Sequence, residues 1–480
     1  MKLLSFFITC LISLGALAQP GYKIDLKIKG LKDTTAYLGY YYGETTYLKD
    51  TAKVDSQGQC SFKGKKNLPQ GVYFFVLNKT KFFDFIVSAN QHFILETSLD
   101  DNIRQMKVTG DEDNRLYFEN MVFISEQHKL ADPFIKIIQD STLDEDAKKS
   151  ARESFQKVND VVVAKQAEII DKYPATLTAR MLKMTRRIDV PPAPKKADGT
   201  IDSTFQLRYY REHFFDNFDL GDPALVQLSH PYYQEKMNEY LDVLFLQMPD
   251  TLMAAIDGMA VKAKKNQDAY KYLIWTAVYK YQKPSIMGLD EVYVRLIDKY
   301  FLTGEMDFWV TPPFKKQLKE SVDKLRNSLI GKTGTNLSMQ DQNFQQKSLY
   351  DIKKKYTIIY FFDPDCGHCK VESPKLVEFY SKNKEKFNIE VFAVSADTSM
   401  QKMRNYIREM KMTWITVNGP RSYTGHYGKF YYAETTPTIY VLDDKKKIIA
   451  KGLQTDKLEE FFTNYERFLR RKTAPKAKGT

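Results

Sequence analysis

The chain has 480 residues, which at ~150 residues per domain is a prior of about three domains. Apolar residues make up 43% and charged residues 28%, so the chain buries real cores; glycine (22) and proline (18) are too sparse for collagen-like or low-complexity material. The net charge of +12 comes from 72 basic against 60 acidic residues spread along the chain, and four cysteines exclude a disulfide-knit scaffold.

The first residues set the compartment. Met1–Lys2 supplies one positive charge, the run from Leu3 to Leu17 is apolar, and Ala16-Leu17-Ala18 has the small-x-small pattern that signal peptidase reads. At about 15 residues the run falls short of the ~20 that a membrane-spanning helix needs. The bland alternative is a buried strand or helix of the folded protein. The pattern predicts a signal peptide over 1–18 with Gln19 as the new N-terminus, hence export to a periplasm or cell envelope. Cys10 lies inside the apolar run and not behind it, which argues against a lipoprotein anchor, and no later stretch has the length of a membrane span. Loss of Lys2 takes the charge from +12 to +11 and leaves Cys60, Cys366 and Cys369.

Residues 19–110 read as strands. Ile24, Leu26 and Ile28 alternate with Asp25, Lys27 and Lys29, the period-two signature of a half-buried strand. Similar runs follow at Thr35–Tyr42, Gln59–Lys63, Val72–Leu77, Phe82–Val87 and His92–Thr97, with turns at Gly30, Asp55-Ser56-Gln57-Gly58 and Gln70-Gly71. Short strands at this spacing predict an all-β, sandwich-like domain. Cys60 shares a face with Phe62 and is expected to be a small buried hydrophobe.

Residues 111–329 change texture. Turn pairs become scarce and apolar residues recur at helical spacing, as in Tyr240, Val243, Leu244 and Met248, or Tyr293, Leu296, Ile297 and Phe301. This predicts an all-α domain, interrupted by an exposed loop at Pro191-Pro192-Ala193-Pro194. Its aromatic pairs, Tyr209-Tyr210 and Phe214-Phe215, read as core, and the segment carries no recognisable chemistry.

Residues 330–472 alternate strand with helix, predicting an α/β layer. Tyr356–Phe362 is a continuous apolar run, expected of a central strand covered on both sides. Helix follows over Ser373–Phe387, strand over Ile389–Val394, helix over Met400–Met410, strands over Thr438–Leu442 and Lys447–Lys451, and helix over Leu458–Leu469. Residues 473–480 form a basic tail. Gly331-Lys332-Thr333 mimics the end of a phosphate loop, but Arg326 stands where the motif needs glycine. The basic tail lacks any nucleic-acid motif and reads as solvated charge, so no nucleic-acid partner is expected.

Chemistry concentrates at Cys366-Gly367-His368-Cys369, after the apolar strand and at the start of a helix. A thiolate there faces unpaired N–H groups and the positive end of the helix dipole, so its pKa should fall. Residues at i and i+3 come close enough to pair, and His368 adds positive charge beside the thiolate. The alternatives are an inert disulfide or half of a zinc site. Zinc wants four N or S ligands, and the other histidines are scattered singly, so no metal is expected.

The run Tyr360-Phe361-Phe362-Asp363-Pro364-Asp365-Cys366-Gly367-His368-Cys369-Lys370 resembles the active-site strand and helix of the thioredoxin superfamily, and its Cys-Gly-His-Cys core is the one protein disulfide isomerases use. Pro374 matches the proline that kinks the active-site helix, and Thr436-Pro437 looks like the cis-proline loop. The 71-residue spacing from Cys366 to Pro437, with the lead-in around Leu337 and Leu349, is more similar to exported TlpA/ResA-like reductases. The upstream regions also look like the modules that precede such a domain in multidomain envelope proteins.

The resemblance implies a C-terminal thioredoxin-like fold. It also implies a redox-active pair, Cys366 and Cys369, supported by Gly367, His368, Thr436 and Pro437, with no cofactor. Cys366 would attack a protein or peptide disulfide, Cys369 would resolve the mixed disulfide, and a reductase would draw on a membrane electron donor. Two departures stand out. Tyr360 replaces the buried carboxylate usual six residues before the first cysteine, and Asp365 replaces the usual tryptophan and opposes thiolate formation. Glu434 is a candidate substitute proton carrier that reads better as an exposed loop residue, and the aromatic loop Tyr423–Tyr432 reads as surface covering a sheet edge. Competing readings are a disulfide isomerase or oxidase, and a non-catalytic envelope binding protein whose dithiol is only a redox switch.

Overall fold

The computed structural model describes residues 21–77 and 80–473, so the signal sequence and basic tail expected at the two ends lie outside the described residues. The chain divides into two compact units: residues up to Leu244 with Gly258–Leu273, and Phe245–Asp257 with Ile274 onward.

In the first unit, eight strands make two four-stranded sheets. They are β1 (Tyr22–Lys29), β2 (Thr34–Tyr42), β3 (Thr45–Val54), β4 (Gln59–Gly64), β5 (Gly71–Leu77), β6 (Thr80–Val87), β7 (His92–Ser98) and β8 (Lys107–Thr109). The sheet orders are β4-β1-β7-β8 and β3-β2-β5-β6. Ile24, Leu26 and Ile28 of β1 share one core with Leu38 of β2 and Tyr73 and Phe75 of β5, so the alternation does define the inward face. Strand β3 escaped the sequence reading because its first half carries exposed residues on both faces. Cys60 is buried opposite Leu26.

The helical region contains α1 (Glu112–Gln139), α2 (Glu145–Lys172), α3 (Leu177–Met184), α4 (Phe205–His213), α5 (Tyr232–Val243), α6 (Pro249–Ala263), α7 (Gln267–Gln282), α8 (Asp290–Leu296), continued by a π-helical turn to Leu302, and α9 (Pro312–Arg326). Side-chain caps start several of them; Asp111, Asp144, Thr176 and Thr311 each accept an N–H at the first turn. Tyr293, Leu296, Ile297 and Phe301 are all buried as their spacing predicts. The Tyr240–Met248 stripe is not continuous: α5 ends at Val243, and Val243 and Met248 are exposed.

The second unit holds a seven-stranded sheet made of β9 (Ser338–Asp341), β10 (Gln346–Ser348), β11 (Tyr356–Phe362), β12 (Ile389–Ser395), β13 (Ile415–Ser422), β14 (Thr438–Leu442) and β15 (Ile448–Lys451), with helices α10 (Gly367–Phe387), α11 (Met400–Glu409) and α12 (Leu458–Thr473). Its order is β10-β9-β13-β12-β11-β14-β15; β11, β12 and β13 run parallel, and β14 is antiparallel to β11. Strand β11 is buried along its whole length. Ile358, Tyr360 and Phe362 enter the core shared with the three helices, while Ile359 and Phe361 face a second core containing Tyr427 and Tyr431. The aromatic loop Tyr423–Tyr432 therefore covers a sheet face with two buried rings. The architecture is multidomain: strand-rich sheets, a helical region, then a thioredoxin-like sheet with helices.

Candidate active site

Strand β11 ends at Phe362, and Asp363-Pro364-Asp365 turns the chain into α10. The turn is closed by Asp363, whose carbonyl accepts the Cys366 N–H (3.1 Å) and whose carboxylate accepts the Asp365 N–H (2.8 Å). Cys366 is the N-cap of α10 and is half-buried; its carbonyl accepts the Lys370 N–H at 3.2 Å, the first intrahelical bond. The helix thus begins at Gly367, six residues before the apolar periodicity becomes readable at Ser373. Cys369, one turn on, is fully buried, and both cysteines are free thiols in this structure. Gly367 and His368 are exposed, and a Cβ on Gly367 would meet nothing within 4 Å, so the first turn of α10 beside Cys366 faces solvent.

The loop before β14 closes the other side. Thr436-Pro437 is a cis peptide bond, and the Cys366 thiol donates to the Thr436 carbonyl at 3.2 Å. The structure therefore brings together Cys366, Gly367, His368, Cys369, Thr436 and Pro437, residues up to 71 positions apart in sequence.

The two thiols are driven in opposite directions. Partial burial works against the Cys366 thiolate. It is outweighed by hydrogen bonds from the Thr436 side chain, the Cys369 N–H and thiol, and the His368 N–H, so the pKa is lowered from its ordinary value. Burial pushes the Cys369 thiol up to about 11, against a backbone hydrogen bond from Asp363 that favours its thiolate. One thiol is half-buried with its thiolate favoured, and the other is fully buried with its thiol form favoured.

Where a carboxylate was missing, the structure supplies hydroxyls. Tyr360 and Ser373 are hydrogen-bonded at 2.9 Å, and Ser373 and Tyr406 at 2.8 Å, all three buried in the core that holds Cys369. Burial raises the Tyr360 phenol well above its ordinary value and Tyr406 to about 12, so this chain is neutral. Ser373 carried one legible signal, its i+4 spacing from Cys369 on the same helix face. Tyr406 carried none. Glu434 pairs with Lys324 at 2.6 Å in an exposed position, as an ordinary loop glutamate does.

Asp365 is also accounted for. Lys402 of α11 lies 2.6 Å from its carboxylate and 3.2 Å from that of Asp397, so the charge beside Cys366 has a counter-ion. Asp363, Asp365 and Asp397 are the one cluster among the described residues with metal-ligand spacing, and the lysine holds two of the three. No helix among the described residues is long and apolar enough to cross a membrane.

Comparison with known proteins places these features in context. Residues 330–451 match the model of the AhpC/TSA family, 142–327 a domain of unknown function (DUF5106), and 22–117 another (DUF4369). The thiol-disulfide oxidoreductase ResA of Bacillus thuringiensis subsp. konkukian is 30% identical over 135 residues, 28% of this chain and 76% of that protein. A domain of a possible thiol-disulfide isomerase from Cytophaga hutchinsonii is 36% identical with a TM-score of 0.28, covering 30% of this chain and 97% of that one. A thioredoxin-like protein from Bacteroides caccae, 18% identical, has a TM-score of 0.47 and covers 58% of this chain and 100% of its own.

Proposed function

From the premise that this chain belongs to the ResA-like thiol-disulfide oxidoreductases, we propose that it is an exported reductase of protein disulfides working through Cys366 and Cys369. The observation that carries disulfide exchange is Cys366 itself, half-buried at the N-cap of α10 beside the cis Thr436-Pro437 bond and one turn before the buried Cys369; the reductase direction is supported by the likeness to ResA.

The Cys366 thiolate attacks one sulfur of the substrate disulfide. The second substrate sulfur leaves with the electron pair and takes a proton from solvent. Cys369 then loses its proton and attacks Cys366, the mixed disulfide breaks, and the first substrate sulfur leaves as a thiolate that is protonated in turn. The substrate gains two electrons and two protons, and the pair becomes a disulfide. Thr436-Pro437 presents backbone for the substrate to pair with, and His368 adds charge at the rim. Return to the dithiol requires a two-electron thiol donor, which outside the cytoplasm means one borne by a membrane protein. Export rests on the leader-like residues 1–18.

A second reading, isomerase or oxidase, is favoured by the depressed Cys366 pKa and by His368, because stabilising the reduced form makes the disulfide more oxidising. The equilibrium reduction potential of the Cys366–Cys369 pair separates them. A value near ~ −270 mV supports the reductase, and one near ~ −180 mV or above supports isomerisation or oxidation.

A further inference from the structure

Two lysine-rich stretches far apart in sequence converge at one end of the seven-stranded sheet. Lys353-Lys354-Lys355 leads into β11, and residues 443–447 turn the chain from β14 to β15. Antiparallel pairing sets Thr357 of β11 against Leu442 of β14, so the turn lies beside the lysine run. A groove of about 600 Å³ lies there, walled by Lys353, Lys354, Lys355, Lys445 and Lys446 against one carboxylate, Asp444. It is at the opposite end of β11 from the dithiol: Cys366 follows Phe362, which stands about 17 Å along the strand from Thr357.

Two features of the groove are unexplained by folding. Lys446 is buried, 8% exposed, and its Nζ donates only to neutral oxygens, the Ile352 carbonyl (2.8 Å) and Thr357 Oγ1 (3.0 Å). Asp443 and Asp444 favour its charge from beyond ion-pair distance, and Asp443 spends a carboxylate oxygen on the N–H groups of Lys445 and Lys447 (3.0 and 2.7 Å). Burial, followed by the charge of Lys353, lowers the Lys446 pKa. Buried lysines are as a rule paired, and no carboxylate pairs with this one among the described residues. The second feature is the excess of charge. Lys355 pairs with Glu466 and Lys353 donates to the Tyr350 carbonyl (3.1 Å), whereas the side chains of Lys354 and Lys445 have no partner among the described residues. With Glu466 and Asp444 set against the five lysines, three positive charges stand uncompensated in the wall.

We propose that this groove binds a phosphate group with free terminal oxygens, either inorganic phosphate or the phosphomonoester headgroup of a lipid. Contact falls to Lys354 and Lys445, whose ammonium groups have no other partner to leave. Lys446 adds a fixed charge that its burial keeps poorly screened by salt. Such a phosphate spreads up to two negative charges over three acceptor oxygens, which suits several convergent point charges better than a carboxylate with one charge on two oxygens. The site is independent of the exchange reading, and either occupant leaves Cys366 at the far end of β11 unobstructed.

The test is calorimetric titration of the full-length protein with sodium phosphate, and with sodium acetate at the same ionic strength. Beside it runs cosedimentation with vesicles of equimolar phosphatidic acid and phosphatidylcholine, or of phosphatidylcholine alone. Lys354→Gln/Lys445→Gln removes the two partnerless charges and Lys446→Met the buried one. Lys149→Gln/Lys157→Gln lowers the net charge equally on α2, where both side chains are exposed. Wild type and the α2 variant are expected to bind phosphate over acetate, or the phosphatidic acid vesicles over the neutral ones, and the groove variants about tenfold more weakly. Binding of phosphate assigns the free anion; binding of the vesicles alone assigns the headgroup. The proposal is overturned if wild type binds neither probe, if acetate matches phosphate, or if Lys354→Gln/Lys445→Gln binds no more weakly than the α2 variant. That last comparison holds whether or not Lys446→Met folds.

Discussion

Cys60 and Cys366 are both cysteines set against a buried sheet, and they are chemically opposite. Cys60 lies inside β4, its backbone paired with β1, in a core of aliphatic and aromatic side chains; burial, followed by the charges of Asp55 and Asp25, pushes its thiol up to about 12. Cys366 lies one residue before a helix, where backbone N–H groups have no intrahelical acceptor, and its pKa is lowered although it too is partly buried. The difference teaches that donors within reach of the sulfur set the direction of the thiol's shift here, the Thr436 side chain first and then the N–H groups at the helix start. A strand spends its N–H groups on its neighbours; a helix start has them to spare.

The comparison predicts a hierarchy of effects. Cys366→Ser should lower single-turnover disulfide reduction by about a thousandfold or more. Cys60→Ala should leave it unchanged while costing about 1 kcal/mol of stability. A Cys60 variant with impaired turnover would break the distinction. Cys369→Ser should keep the first attack and lose the second, so that covalent adducts with substrate proteins accumulate and appear by mass spectrometry at the expense of product. Absence of adducts in a folded variant would remove Cys369 from the resolving role.

The pH dependence follows from the signs. Cys60 and Cys369 have folded-state pKa values raised from 9.0 to about 12 and about 11. Each therefore contributes stability that is complete below about pH 9 and is lost as pH rises towards the folded value. Cys366, shifted the other way, contributes stability above its unfolded value that is lost as pH falls through the folded one. The reduced protein should lose urea resistance between about pH 9 and pH 11 more steeply than the Cys60→Ala variant. Equal slopes would contradict the burial argument. The smallest effect concerns the rim: Lys402→Ala leaves Asp365 uncompensated and should raise the Cys366 pKa by roughly a few tenths of a unit, since the pair is exposed. An unchanged or lower value would show that Asp365 is screened by solvent alone.

Much of this site was legible because its signals are local. Apolar Tyr356–Phe362, the Cys-Gly-His-Cys turn and Thr436-Pro437 each occupy a short window, and the structure assembles them as their spacing suggests. What escaped notice is nonlocal. Lys402 meets Asp365 across 37 positions, and Tyr406 meets Ser373 across 33. Nothing in the sequence of α11 announces either partner. In the fold, β13 was overlooked because Asn418-Gly419-Pro420-Arg421 breaks its period and reads as a turn, although the strand runs from Ile415 to Ser422. Strand β3 was lost for the opposite reason, an edge position that needs no apolar face. Interior pattern was readable; edges and cross-chain contacts were not.

The most direct measurement is the pH dependence of alkylation at each thiol of the fully reduced protein, followed by mass spectrometry. Cys366 should react first, with a midpoint below that of an ordinary cysteine, while Cys60 and Cys369 stay unmodified until the protein unfolds or the solution is strongly alkaline. Equal labelling of the three, or a Cys366 midpoint at or above the ordinary value, would contradict the account.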